Sequence, residues 1–173
     1  MKKLLFIALV ALSSIGAFAQ SRTGSTTIQP KIGLNVSSVG DLDWKAGFVF
    51  GAEIQHQFTS KMGLAGGLLY SFQGGKSDDY SWNPGYLNIP VTLNYYVAKN
   101  FALKAGLQPA FMVSKDDMKE VNTFDLAVPV GMSYEFDRFV VDARYNIGVT
   151  KVPKHLDGYT NVLQLTIGYK FNL

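Results

Sequence analysis

The chain contains no cysteine. That excludes a disulfide framework, a thiolate metal site and a lipid-modified cysteine after an export signal. It also lacks a long apolar run beyond its first residues, so no helix after the leader reaches the ~20 residues needed to cross a bilayer. Histidine is scarce, with only His56 and His155. A strong charge of either sign is missing too. Of the 16 Lys and Arg, Lys2 and Lys3 fall in the opening segment, which leaves 14 against 13 acidic residues. A balance this close to neutral gives no electrostatic case for nucleic-acid binding.

What the chain does have begins with Met1-Lys2-Lys3, an apolar run over 4–12 and Ala17-Phe18-Ala19. A basic start, a short apolar core and small residues at a cleavage site describe a signal peptide over 1–19, cut before Gln20. The domain is then 20–173.

That domain is dominated by a two-residue alternation. Leu163, Leu165, Ile167, Tyr169, Phe171 and Leu173 share one parity, while Gln164, Thr166, Gly168, Lys170 and Asn172 share the other. Side chains of a strand alternate between faces, so this is a strand with one apolar and one polar side. The pattern predicts eight strands, over 28–36, 45–58, 62–73, 86–97, 101–113, 123–136, 139–150 and 163–173. Residues 21–27 read as a loose tail. Connections at 59–61, 98–100 and 137–138 are tight; those at 37–44, 74–85, 114–122 and 151–160 are longer and polar. This alternation predicts an antiparallel up-and-down barrel with periplasmic turns and extracellular loops.

Volume decides which face is inside. Eight strands enclose a bore just wide enough for side chains. The many Leu, Phe and Tyr of the apolar parity do not fit there, whereas the other parity holds Gly33, Gly47, Gly51, Gly106, Gly131 and Gly148. The apolar face must point into lipid, and the fold class is an eight-stranded transmembrane β-barrel. The polar parity places Lys31, Glu53, Lys104, Asp125, Glu135, Asp142, Arg144 and Lys170 in the bore, where opposite charges must pair. Most lie near the turn end, which predicts a charged plug. Outward aromatics near the same end, namely Phe58, Tyr95, Phe101, Tyr134, Phe136, Phe139, Tyr169 and Phe171, form a membrane-interface girdle. Phe48, Tyr70, Phe72, Phe111 and Phe124 sit near the other rim. Pro90, Pro109 and Pro129 fall inside strands and each removes a ladder donor, so bulges or breaks are expected there.

Several segments carry a family resemblance. Tyr86-Leu87-Asn88-Ile89-Pro90-Val91-Thr92-Leu93-Asn94-Tyr95 is similar to a Y-L-E-I-P-x-x-x-K-Y strand, with Asn88 and Asn94 in place of Glu and Lys. Together with 31–37, 47–53, 142–150 and 169–171, it resembles the PorT-like outer-membrane β-barrel family of the Bacteroidetes group. The resemblance implies the outer membrane of a Gram-negative bacterium and no single activity.

Sites for chemistry are sparse. Gly74-Gly75-Lys76-Ser77 lacks the upstream glycine of a phosphate loop, since Tyr70 stands there. A lipid-modifying enzyme needs a nucleophile beside His56 or His155; the sequence places neither Ser60 nor Ser133 against His56, which reads better as an interface histidine. The loop carboxylates Asp78, Asp79, Asp116, Asp117 and Glu120 are of the type Ca²⁺ takes, and solvated loop tips are the simpler reading. Trp44, Tyr80 and Trp82 suit interface anchoring. No cofactor is expected. The sequence therefore points to a non-enzymatic barrel with a filled lumen and a structural or surface-interaction role through four outward loops. A narrow channel and a lipid-modifying enzyme are the alternatives. Expected partners are outer-membrane lipid and lipopolysaccharide, the barrel-assembly machinery during insertion and an extracellular or periplasmic ligand, with no nucleic acid.

Overall fold

Every alternating stretch is strand in the computed structural model, which describes residues 23–39, 43–72, 75–77, 80–81, 85–114, 124–151 and 159–173. The order is β1 (Thr26–Val39), β2 (Asp43–Gln57), β3 (Met62–Phe72), β4 (Gly75–Ser77), β5 (Tyr80–Ser81), β6 (Gly85–Asn88), β7 (Val91–Ala98), β8 (Phe101–Ser114), β9 (Phe124–Phe136), β10 (Phe139–Lys151), β11 (Tyr159–Tyr169) and β12 (Phe171–Asn172). Neighbours pair antiparallel, and β1 pairs with both β2 and β11, which closes the sheet on itself. β6 with β7, and β11 with β12, each make one interrupted stave. The result is a closed barrel of eight staves.

The ends of the staves differ from the sequence expectation. Residues 23–27 are not a loose tail: Gly24 N donates to Gln57 O at 2.7 Å, and Thr26 and Thr27 pair with His56 and Gln55. Pairing with β2 supplies the backbone partners that a free tail would take from water. β1 also runs on to Val39 and β2 starts at Asp43, so most of the expected loop 37–44 is strand. The segment expected as loop 74–85 contains β4, which pairs Asp43 with Lys76 and Trp44 with Gly75, and β5, which pairs with β4. The end of β2 extends beyond its β3 partner, and an unpaired strand edge is a ready template for another strand.

Prolines interrupt pairing without shifting it. Pro90 separates β6 from β7, yet both keep one register against β3 and β8. Its carbonyl accepts Gly67 N at 3.0 Å, and Ile89 N donates to Pro109 O at 2.8 Å. Pro109 and Pro129 stay within β8 and β9, where β8–β9 pairing skips from Ala105–Val130 to Gln108–Ala127. Pro30, overlooked in the sequence, has the same effect: β1 pairing stops at Lys31–Gly168 and resumes at Ile28–Phe171, which splits β11 from β12. A missing N–H removes one rung, and the closed neighbours hold the register. The recorded register shifts lie elsewhere, at Gly85/Tyr86, Tyr96/Ala98 and Ile147/Lys151.

The faces sort as volume demands. Ile32 and Phe48 are 62% and 63% exposed on the outside, while Gln29 and Asn35 are 1% exposed within. So continuous an apolar exterior is tolerable in lipid and not in water. Parity outranks hydropathy where they conflict: Val49, Leu69, Tyr86, Tyr96, Val140 and Val162 face inward and are buried.

Gly51 has φ of 156°, and a Cβ built there lies 2.1 Å from Leu68 O. Gly51→Ala is expected to lower stability by about 1–3 kcal/mol, read by urea titration of the folded barrel.

Candidate functional site

The turn-end half of the bore is filled by charge. Lys31 on β1, Glu53 on β2, Lys104 on β8, and Asp142 and Arg144 on β10 share the inward parity of their strands and are all buried. Their reach depends on small lateral neighbours. Lys31 stands between Gly51 and Gly168, Glu53 stands opposite Gly67, and Lys104 and Arg144 both stand opposite Gly131. A Cβ on Gly67 would meet Glu53 Cγ at 2.5 Å. The glycines of the bore thus leave room for the stems of long charged side chains.

Contacts knit these five residues into one cluster. Lys31 Nζ donates to Glu53 Oε2 at 2.5 Å and to Asp142 Oδ2 at 3.4 Å. Lys104 Nζ bonds Asp142 Oδ2 and lies 3.8 Å from Glu53 Oε2. Arg144 Nε and Nη2 donate to the two oxygens of Asp142 at 2.7 and 3.0 Å. Arg144 Nη2 also lies 2.6 Å from Glu53 Oε1, close enough for an ion pair but outside hydrogen-bond alignment. Every charged group is out of water, so each depends on its partners: an unpaired buried charge costs several kcal/mol.

A second set lies closer to the turn end. Lys170 Nζ is 2.6 Å from Glu135 Oε1, and Tyr96 OH donates to the same oxygen at 2.5 Å. Gln55 Nε2 donates to Tyr96 OH at 2.8 Å and to Gln57 Oε1 at 3.0 Å. Its Oε1 accepts from Asn94 at 2.9 Å and from Gln29 at 3.2 Å. Asp125 joins neither set; it accepts the hydroxyl of Thr150 near the loop end. The eight charged residues are therefore distributed as a five-membered cluster, one pair and one separate carboxylate. Sequence reasoning had sorted aromatics to the outside and missed Tyr96, although its parity with Asn94 was the available signal.

Tyr96→Phe removes a hydrogen bond to a buried carboxylate. It is expected to cost about 1.5–3 kcal/mol, measured as a lower urea midpoint.

The girdle residues occupy the outer face. Phe58, Tyr95, Phe136, Phe139 and Phe171 are exposed, and Phe101, Tyr134 and Tyr169 are half-buried. Tyr169 packs edge-to-face on Phe139 and tilted on Phe171, with ring centroids 5.2 and 4.8 Å away. At the other rim Phe111 meets Phe124 at 5.4 Å and Tyr70 meets Phe72 at 5.2 Å, with Phe48 exposed. Rings at these two levels suit the headgroup regions of a bilayer.

Among the described residues the remaining candidates do not assemble into a reactive set. His56 is exposed on the outer face, where its Nδ1 is 2.9 Å from Thr26 Oγ1 and its ring packs on Phe58. Ser60 lies in the turn after β2, and Ser133 is buried in the bore, on the opposite face of the sheet from His56. Trp44 is exposed and Tyr80 lies in β5. His155, Trp82, Asp78, Asp79, Asp116, Asp117 and Glu120 lie outside the described residues. Among the described residues no three of His, Cys, Asp and Glu are grouped to hold a metal.

Comparison with known proteins agrees with this geometry. No curated protein matches the sequence. The fold is similar to that of Ail, the attachment invasion locus protein of Yersinia pestis, with TM-score 0.56 and 18% identity over 86% of this chain and 99% of that one. Neisserial surface protein A gives TM-score 0.58 and 15% identity over 84% and 97%. OprG of Pseudomonas aeruginosa gives 0.53 and 16% over 88% and 99%. At such identities these likenesses speak for the fold alone. The model of the outer membrane protein beta-barrel domain family matches residues 5–171, nearly the whole sequence. The chain belongs to that family, as a small barrel of the Gram-negative outer membrane.

Proposed function

We propose that this protein is a closed, non-enzymatic barrel that acts through the surface it presents at its loop end, with lipid and lipopolysaccharide around its waist. The observation that carries this reading is the five-charge cluster. Its members meet from four strands in a narrow bore, and all of them are buried. Ions crossing there have to displace paired charges, at a cost of several kcal/mol. With the bore occupied, what remains to meet a partner is the loop end. Ail, of the same fold, is an attachment invasion locus protein, which gives a surface role a precedent.

In this reading residues 1–19 are a leader removed on export, and the assembly machinery inserts the mature barrel with its tight turns toward the periplasm. The strand around Pro90 and its flanking motifs favour the PorT-like branch of the family.

Closure is tested by conductance. Purified barrel in a planar bilayer is expected to stay silent across applied voltage; discrete current steps would establish the channel reading instead. The surface role is tested by replacing 74–84 and 152–158 with short turns. The shortened barrel is expected to keep its heat-modifiable gel mobility, while cells carrying it lose the attachment that the full chain confers. Unchanged attachment contradicts the reading.

A further inference from the structure

One wall of the bore uses its amides differently from the rest, where even at the loop side Gln108 Nε2 donates to Asn88 Oδ1 at 3.2 Å. Toward the turn end, Gln29, Gln55, Gln57 and Asn94 are bonded to one another. Toward the loop end, on the wall made by β10, β11 and β1, Asn35, Asn146 and Gln164 are just as buried. Yet among the described residues both amide atoms of Asn35 and Asn146 lack a partner, as does the nitrogen of Gln164. Arg144 adds a fourth case. Its Nε and Nη2 engage Asp142 and Glu53, and its Nη1 bonds nothing among the described residues.

These groups are neighbours by register. Asn35 stands opposite Gln164 across β1 and β11, and Gln164 stands opposite Arg144 across β11 and β10. Asn146 is the next inward residue of β10 on the loop side of Arg144. Residues directly opposite have Cβ atoms about 4.5–5.5 Å apart. Four unused N–H donors therefore share one patch of wall.

Buried polar groups are nearly always satisfied, and a cluster that the protein leaves open calls for water or a bound ion. Charge distinguishes the two. The cluster forming the floor of this patch holds Lys31, Lys104 and Arg144 against Glu53 and Asp142, one positive charge in excess. Lys170 is paired with Glu135, and the Asp125 carboxylate balances the bore as a whole from beside Thr150, four residues toward the loop end from Asn146, so the positive excess belongs to the floor alone. Donors above a positively charged floor fit an anion and repel a cation.

We propose that the loop-end half of the bore contains a site for a small monovalent anion, inorganic or carboxylate, held by Arg144 Nη1, Gln164 Nε2, Asn35 Nδ2 and Asn146 Nδ2. The proposal rests on the closed bore as its floor, so its test must separate the two.

A chain without cysteine allows this by thiol labelling. Thr160 is buried on β11, inward on the same wall and nearer the loop end; its hydroxyl also lacks a partner among the described residues, but it is not one of the four N–H donors. Thr160→Cys is placed in the full folded barrel and treated with an anionic methanethiosulfonate (sulfonatoethyl) or a cationic one (trimethylammonioethyl). Each rate is divided by that of the same cysteine in the urea-unfolded chain. The anionic reagent is expected to be favoured about tenfold, the focusing that a positively charged cleft gives an anion. Bromide or acetate is expected to slow it, and whichever protects better names the source of the anion. Equal rates, a cationic preference or an inert cysteine overturn the site. A parallel Asn94→Cys, on the turn side of the cluster, is expected to stay inert. Its labelling refutes the closed bore and leaves the Thr160 comparison to judge the anion site by itself. Without any cysteine, chloride-35 resonance broadening by the unaltered barrel, lost in Gln164→Leu, gives a second readout; no broadening refutes the site.

Discussion

Glu53→Gln is expected to lower the stability of the barrel by about 3–5 kcal/mol, the range for breaking a buried ion pair from one side. The variant keeps nearly the same volume, so packing changes little. What changes is charge. Lys31, Lys104 and Arg144 all approach Glu53, at 2.5, 3.8 and 2.6 Å. Without it, Asp142 alone faces three cations in a bore they cannot leave. Urea titration followed by gel mobility measures the loss. Adding Lys31→Met to Glu53→Gln is expected to recover part of it, because one uncompensated cation is removed; the two changes share a network and are not additive. A loss below about 1 kcal/mol, the range for exposed pairs, is the result that contradicts a buried cluster.

Val130→Arg is expected to cost about 2–4 kcal/mol, the penalty for a base at the lipid midplane of a barrel. Val130 is the central residue of β9 (Phe124–Phe136), and it faces outward. Ser133, three residues on, faces the bore and is buried. Ser133→Thr adds one methyl to a polar interior and is expected to be much milder. Since an odd step along a strand reverses the face, the pair tests the phase as well as the membrane. Equal effects contradict the assigned phase.

Much of this fold was legible because a strand has a period of two. In 163–169 and 141–147 apolar parity and outward parity coincide, so the faces could be read residue by residue. The register was not legible. Whether Lys31 meets Glu53 or Glu135 depends on how far pairing climbs around the barrel, and no single strand carries that information. This is why parity alone groups most of the eight inward charges into one plug, while the structure forms a cluster of five, a separate Glu135–Lys170 pair and an Asp125 bonded by Thr150. Val162 and Leu69 show the other limit. Their hydropathy says lipid, but their parity and burial place them in the bore. β4 and β5 were illegible because runs of three and two residues are too short to show a period. The tail at 23–27 was misjudged because polar Thr-rich sequence reads as coil, although here its backbone pairs with β2 and Thr27 points inward.

The central claim is that the outer parity touches acyl chains and the inner parity does not. It is tested most directly by methyl nuclear Overhauser effects to the lipid or detergent chains, recorded on the unaltered barrel. Val130, Val141, Leu163 and Leu165, exposed on the outside, are expected to show strong effects. Val49, Leu69, Val140 and Val162, buried in the bore, are expected to show none. Acyl-chain contacts from the second group, or their absence from the first, would contradict the account.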